Sequence, residues 1–227
     1  KLYDGKNTLV SDWGEYSPQT REAVFNYHVK LTNERFTLTS DTLHYNTLTK
    51  ITHIVGPSNI NSDGNRIYTE RGYYDTAKDY AELFDRSVVI NGKSTMTGDS
   101  MYYDKKNGKM HAYNNIVYND KGNKNLLTGD YCEYDDKTGY AMATKNAVVR
   151  DYSSPDTLFM HADTFKIFTY NIRTDSVYRL VHGYHKARAF RSDVQSVCDS
   201  LKYDSKKKKM TMYGNPIVWN NNQQLLG

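Results

Sequence analysis

Short runs of alternating apolar and polar residues, broken by polar turns, fill this chain from end to end. In Ser100-Met101-Tyr102-Tyr103-Asp104 and Ser200-Leu201-Lys202-Tyr203-Asp204, apolar side chains recur at every second position, the period of a half-buried strand. Turn chemistry stands between such runs: Lys106-Asn107-Gly108-Lys109, Asp136-Lys137-Thr138-Gly139 and Ser205 to Lys208. Asn-Gly accepts the positive φ angles of a tight hairpin. The pattern predicts strand, turn, strand, an Asn bend, a short strand, and a polar loop such as Asp120-Lys121-Gly122-Asn123.

This unit is repeated. Thr97-Gly98-Asp99-Ser100-Met101-Tyr102-Tyr103-Asp104 is followed by Thr128-Gly129-Asp130-Tyr131-Cys132-Glu133-Tyr134-Asp135, and the frame recurs from Cys198 to Asp204 and from Ser40 to Asn46. Weaker copies run from Glu70 to Asp75 and from Ala162 to Ile167. Acidic anchors stand at 41, 70, 99, 130, 163 and 199, 29 to 36 residues apart. Asn follows three of them sixteen residues later, as Asn115, Asn146 and Asn215, each leading into an apolar triplet. A further partial unit over 1–35 is expected around Tyr3-Asp4 and Ala23 to Phe25, and Trp13 to Thr20 and Asp151 to Asp156 read as surface loops.

Alternation assigns the faces. Two residues after the anchors come Leu43, Gly72, Met101, Cys132, Phe165 and Leu201, and four after come Tyr45, Tyr74, Tyr103, Tyr134, Ile167 and Tyr203. The second strand places Met110 and Ala112, Ala141 and Ala143, and Met210 and Met212 at alternating positions. These sets are expected inside, and His44, Tyr73, Tyr102, Glu133, Lys166 and Lys202 outside. One unit cannot bury its own apolar face, so neighbours must stack. The expected architecture is all-β: one elongated domain over 1–227, a stacked antiparallel slab of about six to seven units of ~30 residues. Its interior is either a filled core or an apolar groove.

Composition narrows the function classes. The 227 residues are 38% apolar and 25% charged, with a mean hydropathy of −0.79, yet 13% are aromatic and 21 are Tyr. Disordered chains are poor in aromatics, so this is a folded chain. Basic and acidic residues, 30 against 26, are interleaved. That argues against nucleic acid, whose binders gather their cations into one stripe. The single basic run, Lys206 to Lys209, falls at a turn position and reads as a solvated hairpin loop. No stretch approaches the ~20 apolar residues of a membrane-spanning helix. The start at Lys1 and the repeat-like Gln223 to Leu226 before Gly227 are expected to mark a processed amino terminus and more chain beyond.

Chemistry-bearing residues do not converge. The anchor acids are separated by whole repeats, and no calcium-loop density of oxygen ligands is present. His182 and His185 fall on opposite faces of a strand, and no nucleophile elbow or phosphate-cradling glycine loop occurs. No catalytic residue, metal site or cofactor is therefore expected. Cys132 and Cys198 lie two repeats apart, ~10 Å by strand spacing, too far for a disulfide, and are expected as free thiols.

These landmarks resemble the OstA/LptA family of lipopolysaccharide-transport proteins. The resemblance runs from about Phe36 to Trp219, and on its wider reading from Leu2, most clearly over Gly98 to Val117 and Gly129 to Val149. Tyr213-Gly214-Asn215-Pro216-Ile217-Val218-Trp219 is similar to OstA-like proteins of the Bacteroidetes type. The resemblance implies an open β-jellyroll, periplasmic or outer-membrane-associated. Its apolar interior would carry lipid A acyl chains, and its sheet edges would join jellyroll partners, copies of itself included. It makes the inward set the lipid-groove lining: Leu43, Tyr45, Tyr74, Met101, Tyr103, Met110, Ala112, Cys132, Tyr134, Ala143, Phe165, Ile167, Leu201, Tyr203, Met210 and Met212. The alternative is a structural β-repeat scaffold that binds protein or glycan on its Tyr-rich outer face, around Tyr73 and Tyr102.

Overall fold

Alternating apolar residues and frequent β-branched and aromatic side chains leave the chain one regular option, and among the described residues every regular element is a strand. The computed structural model describes residues 1–62, 64–172, 174–221 and 223–227. Its 22 strands fall into two compact units, residues 1–107 and 108–227. The first holds β1 (Leu2–Asp4), β2 (Asn7–Val10), β3 (Trp13–Ser17), β4 (Glu22–Thr32), β5 (Phe36–Asn46), β6 (Ile51–Ser62), β7 (Asn65–Asp75), β8 (Tyr80–Asn91) and β9 (Ser94–Asp104). The second holds β10 (Lys109–Asp120), β11 (Asn125–Asp135), β12 (Tyr140–Thr144), β13 (Val148–Asp151), β14 (Leu158–His161), β15 (Thr164–Tyr170) and β16 (Tyr178–Tyr184). It continues through β17 (Ala187–Arg191), β18 (Val194–Cys198), β19 (Ser200–Asp204), β20 (Lys209–Tyr213), β21 (Ile217–Asn220) and β22 (Gln223–Leu226). Pairing is antiparallel throughout, and the fold is an open β-jellyroll.

Each long strand bends at its middle, and the bends account for the repeat. In β4 and β5, Asn26 pairs with Thr42 and Val29 with Ser40, so Tyr27 and His28 together stand opposite Asp41. Asp85 and Arg86 stand likewise opposite Asp99, and Asn114 and Asn115 opposite Asp130. Two residues facing one is a β-bulge, which kinks the strand and shifts its alternation. The paired residues are left-handed, with φ of 64° and 52° at Tyr27 and His28, 58° and 51° at Asn114 and Asn115, and 59° and 58° at Lys145 and Asn146. Asn tolerates that region better than most residues, so it marks the place sixteen residues after an anchor. Inside the bends the side chains are small. Ser58 Oγ donates to Ser40 Oγ, and Ser87 Oγ to Thr69 Oγ1, both at 2.7 Å, which satisfies hydroxyls buried there.

The bends fold each unit into two layers with their apolar faces together. In the first unit Phe36, Leu38 and Leu31 come from one layer, and Leu43, Tyr45, Leu83 and Met101 from the other, all buried. Phe36 meets Tyr74 edge to face across the interior, with ring centroids 4.7 Å apart. The Asp or Asn that closes each Tyr-Asp frame caps the following turn. Asn46 Oδ1 accepts the Leu48 and Thr49 amides, Asp75 Oδ1 those of Ala77 and Lys78, Asp135 Oδ1 those of Lys137 and Thr138, and Asp204 Oδ1 those of Lys206 and Lys207.

One loop expectation is corrected and a second is narrowed. Trp13 to Ser17 is strand β3, paired with β4 from Trp13↔Asn26 to Ser17↔Glu22. Asp12 lies 2.7 Å from His28 at the bulge of β4, so it is the anchor of the amino-terminal unit, 29 residues before Asp41. The expected anchor Tyr3-Asp4 belongs instead to an edge hairpin, β1 with β2. The segment expected as a surface loop from Asp151 to Asp156 is one from Tyr152 onward, exposed over 153–156, while Asp151 itself ends strand β13 and is buried, because the turn that follows folds its carboxylate inward.

Candidate functional site

Alternation sends one face of most half-strands into the interior, and the interior is where apolar chemistry gathers. Of the sixteen residues assigned there from the sequence, Leu43, Tyr45, Tyr74, Met101, Ala112, Cys132, Ala143, Phe165, Leu201 and Tyr203 are buried. Tyr103, Met110, Ile167, Met210 and Met212 are half-buried. Tyr134 sits in the same row, between Met110 and Ala141, but is 37% exposed. Both cysteines are free and buried. Burial, with the neighbouring Glu133 carboxylate, pushes the Cys132 thiol up to about 12, far from a reactive thiolate.

In the second unit the interior opens at its carboxy-terminal end into a trough of about 350 Å³. Met210, Met212, Pro216, Val218, Leu225 and Leu226 line it, with Lys209 and Thr211 at its margin. β22 forms one wall, paired only with β21 among the described residues, and its Leu225 and Leu226 are 61% and 72% exposed. This volume is at the lower end of small-ligand clefts. Its lining is mainly apolar, and Met adapts to varied apolar shapes.

The free rims of the two layers, farthest from the bends, carry charge. Lys50, at a left-handed turn position, donates to Asp4 Oδ1 at 2.5 Å, and Tyr45 donates its hydroxyl to Asp4 Oδ2 at 2.6 Å. Lys208, at the equivalent turn, donates to Asp151 Oδ2 at 3.0 Å and to Ser153 Oγ at 2.7 Å, while Tyr203 donates to Asp151 Oδ2 at 2.9 Å. Arg35 reaches Asp79 at 2.9 Å, with Tyr74 hydrogen-bonded to the same carboxylate, and Arg179 reaches Asp120 at 2.9 Å. Burial by itself would raise the Asp4 and Asp151 carboxyls; their hydrogen bonds outweigh it and hold both below the usual carboxylate value. Burial, then the adjoining carboxylates, pushes the phenols of Tyr45 and Tyr203 well above theirs.

None of these rim residues stands out in the sequence as a site. The expectation that Lys206 to Lys209 is a solvated turn holds in exposure, and Lys208, 51% exposed at its side chain, in addition reaches a partner 57 residues away. Among the described residues no group of three or more His, Cys, Asp or Glu could hold a metal ion, and no helix is long and apolar enough to cross a membrane.

Fold and interior together define the class: an open antiparallel β-jellyroll, written as a tandem repeat around an apolar core. Residues 1–41 match the family described as OstA-like protein, which upholds the OstA-like resemblance over that segment. The chain is similar to a solved structure of LptH, the LptA-homologous periplasmic component of the lipopolysaccharide transport device of Pseudomonas aeruginosa. Identity is 20% and the TM-score 0.45, over 48% of this chain and 82% of that one. No curated protein matches this chain.

Proposed function

We propose that this chain is a lipopolysaccharide-transport or outer-membrane-assembly protein of the periplasm, binding lipid A acyl chains between its two β layers without chemical turnover. The observation that carries the reading is the apolar trough at the carboxy-terminal end, lined by Met210, Met212, Pro216, Val218, Leu225 and Leu226. The OstA-like match of residues 1–41 supports it. Moving an acyl chain through water means sheltering each methylene, worth ~0.8 kcal/mol apiece, and a trough continuous with a buried apolar row supplies that shelter. The inward residues named above, from Leu43 to Met212, are the lining proposed to meet those chains. The outer edge of β22 offers backbone groups for strand addition by a jellyroll partner or a second copy.

Photo-crosslinking in cells tests this reading, with a probe amino acid at half-buried Met212 and a control at its other neighbour, exposed Tyr213, which does not line the trough. Lipopolysaccharide captured at 212 and not at 213 is the expected result. Capture at neither position in a folded protein overturns it and favours the scaffold reading of the outer face.

A further inference from the structure

A jellyroll made of bent strands has two long sides. One is the row of bends, continuous through the backbone. The other is the pair of free rims, where hairpin turns of one layer face those of the other. No backbone joins the layers there, so this is the side on which the interior can be exposed without breaking a single ladder hydrogen bond.

The structure closes that side with charge. In the first unit Lys50 crosses to Asp4, Asp79 receives Arg35, and Lys105 donates to Ser62 Oγ at 2.7 Å. In the second, Arg179 crosses to Asp120 and Lys208 to Asp151. Each contact joins one layer to the opposite layer, either from a hairpin turn or, for Arg179 and Asp120, from strand ends beside one. The carboxylates are the sheltered partners, with side chains 19%, 10%, 6% and 7% exposed at Asp4, Asp79, Asp120 and Asp151. Under three of them lies an inward tyrosine whose hydroxyl bonds the same carboxylate: Tyr45, Tyr74 and Tyr203. The tyrosine rings roof the apolar interior, and the ion pairs fasten the roof.

We propose that in each unit the free rims form a laced seam, a lateral opening through which an acyl chain passes into that unit's interior, and that the inter-layer ion pairs keep it shut in the unloaded protein. What passes the seam is taken from the lipid-binding reading; the seam itself stands on the rim geometry. Pairs of this kind suit a fastening. Their attraction is offset by the cost of desolvating both partners, so they hold two layers in register without binding them as firmly as a packed apolar contact would. A filled interior such as that around Phe165 and Met101, 0% and 1% exposed, has to widen to admit a ligand. The layers can part at the rims while the bends stay intact.

Three single variants test this: Lys50→Met, Arg35→Met and Lys208→Met. Each removes a cation and leaves its tyrosine–carboxylate bond in place. Hydroxyl-radical footprinting of the ligand-free protein, resolved by peptide, reads the seam. Uptake of cis-parinaric acid, followed by its fluorescence, reads passage. The expected result is local: oxidation rises several-fold at Tyr45 in the first variant, Tyr74 in the second and Tyr203 in the third, while exposed Tyr3 is unchanged, and uptake quickens several-fold. Unchanged oxidation at all three tyrosines in folded variants overturns the seam. Arg35 is 66% exposed at its side chain, so its variant keeps the test decidable if a lysine variant does not fold. Raised oxidation with no parinarate bound by any form leaves the seam standing and sinks the lipid-binding reading instead.

Discussion

Asn146 donates from Nδ2 to Asp130 Oδ2 at 2.9 Å, joining the acidic anchor of one strand to the bend of the next, sixteen residues on. Asn146 holds φ at +58°, and the carboxylate of Asp130 faces the bulge that this angle makes. The two most regular landmarks of the repeat are therefore one structural device, an acid and a left-handed residue that together turn the strand from one layer to the other.

Replacing Asn146 by Ala should destabilise the protein by about 1–2 kcal/mol, since a residue with a Cβ and no local hydrogen bond is disfavoured in the left-handed region. Asn146→Gly should cost less, because glycine takes the angle freely. Urea unfolding of the two variants gives the comparison. Equal losses would mean that the hydrogen bond matters and the backbone angle does not.

Phe165 is fully buried in the interior of the second unit. Phe165→Ala should lower stability by about 3–5 kcal/mol through lost transfer energy and the cavity left behind. Tyr203→Phe removes only a buried hydroxyl that serves the Asp151 carboxylate, a loss of roughly 1.5–3 kcal/mol. Thermal unfolding should rank the two in that order.

Acid should loosen the protein at Asp4 and Asp151. Both carboxyls ionise at lower pH in the folded than in the unfolded state. The folded state thus holds fewer protons, and the contribution is complete above the unfolded value, about 3.9. It is lost as pH falls through the lower folded values. Urea midpoints measured from pH 6 down to pH 2.5 should fall less steeply in Asp151→Asn than in the parent, with the variant already weaker at pH 6. Parallel slopes would remove Asp151 from the account.

A thiol reagent reports on the interior. Cys132 is 4% exposed, and its thiol is raised to about 12. At pH 8 a disulfide reagent should leave it unmodified in the native protein and label it on unfolding. Labelling of native Cys132 within minutes would show that the second unit opens far more readily than its burial indicates.

The repeat, the strands and their faces were legible in the residues themselves, because each rests on local physics. Alternation at a period of two decides which side of a strand is apolar. Asn-Gly and the Tyr-Asp frame decide where hairpins turn, and Asn at the bend tolerates an angle that Lys145 beside it also adopts. Asp12 could have been found the same way, by stepping 29 residues back from Asp41, but Trp13 to Thr20 had the polar look of a loop. The rim and the trough were not legible. Asp4 meets Lys50, Arg35 meets Asp79 and Asp120 meets Arg179 at separations of 46, 44 and 59 residues, with no common spacing. Such pairs form only after the bends have folded two layers together, and Met210, Met212 and Leu226 share a trough only because β22 turns back on β21. The sequence by itself determined strands, faces and hairpins, since those depend on neighbours along one chain or in one ladder. The tertiary structure alone decided which charges close the interior and where it opens, since those depend on distances across two layers.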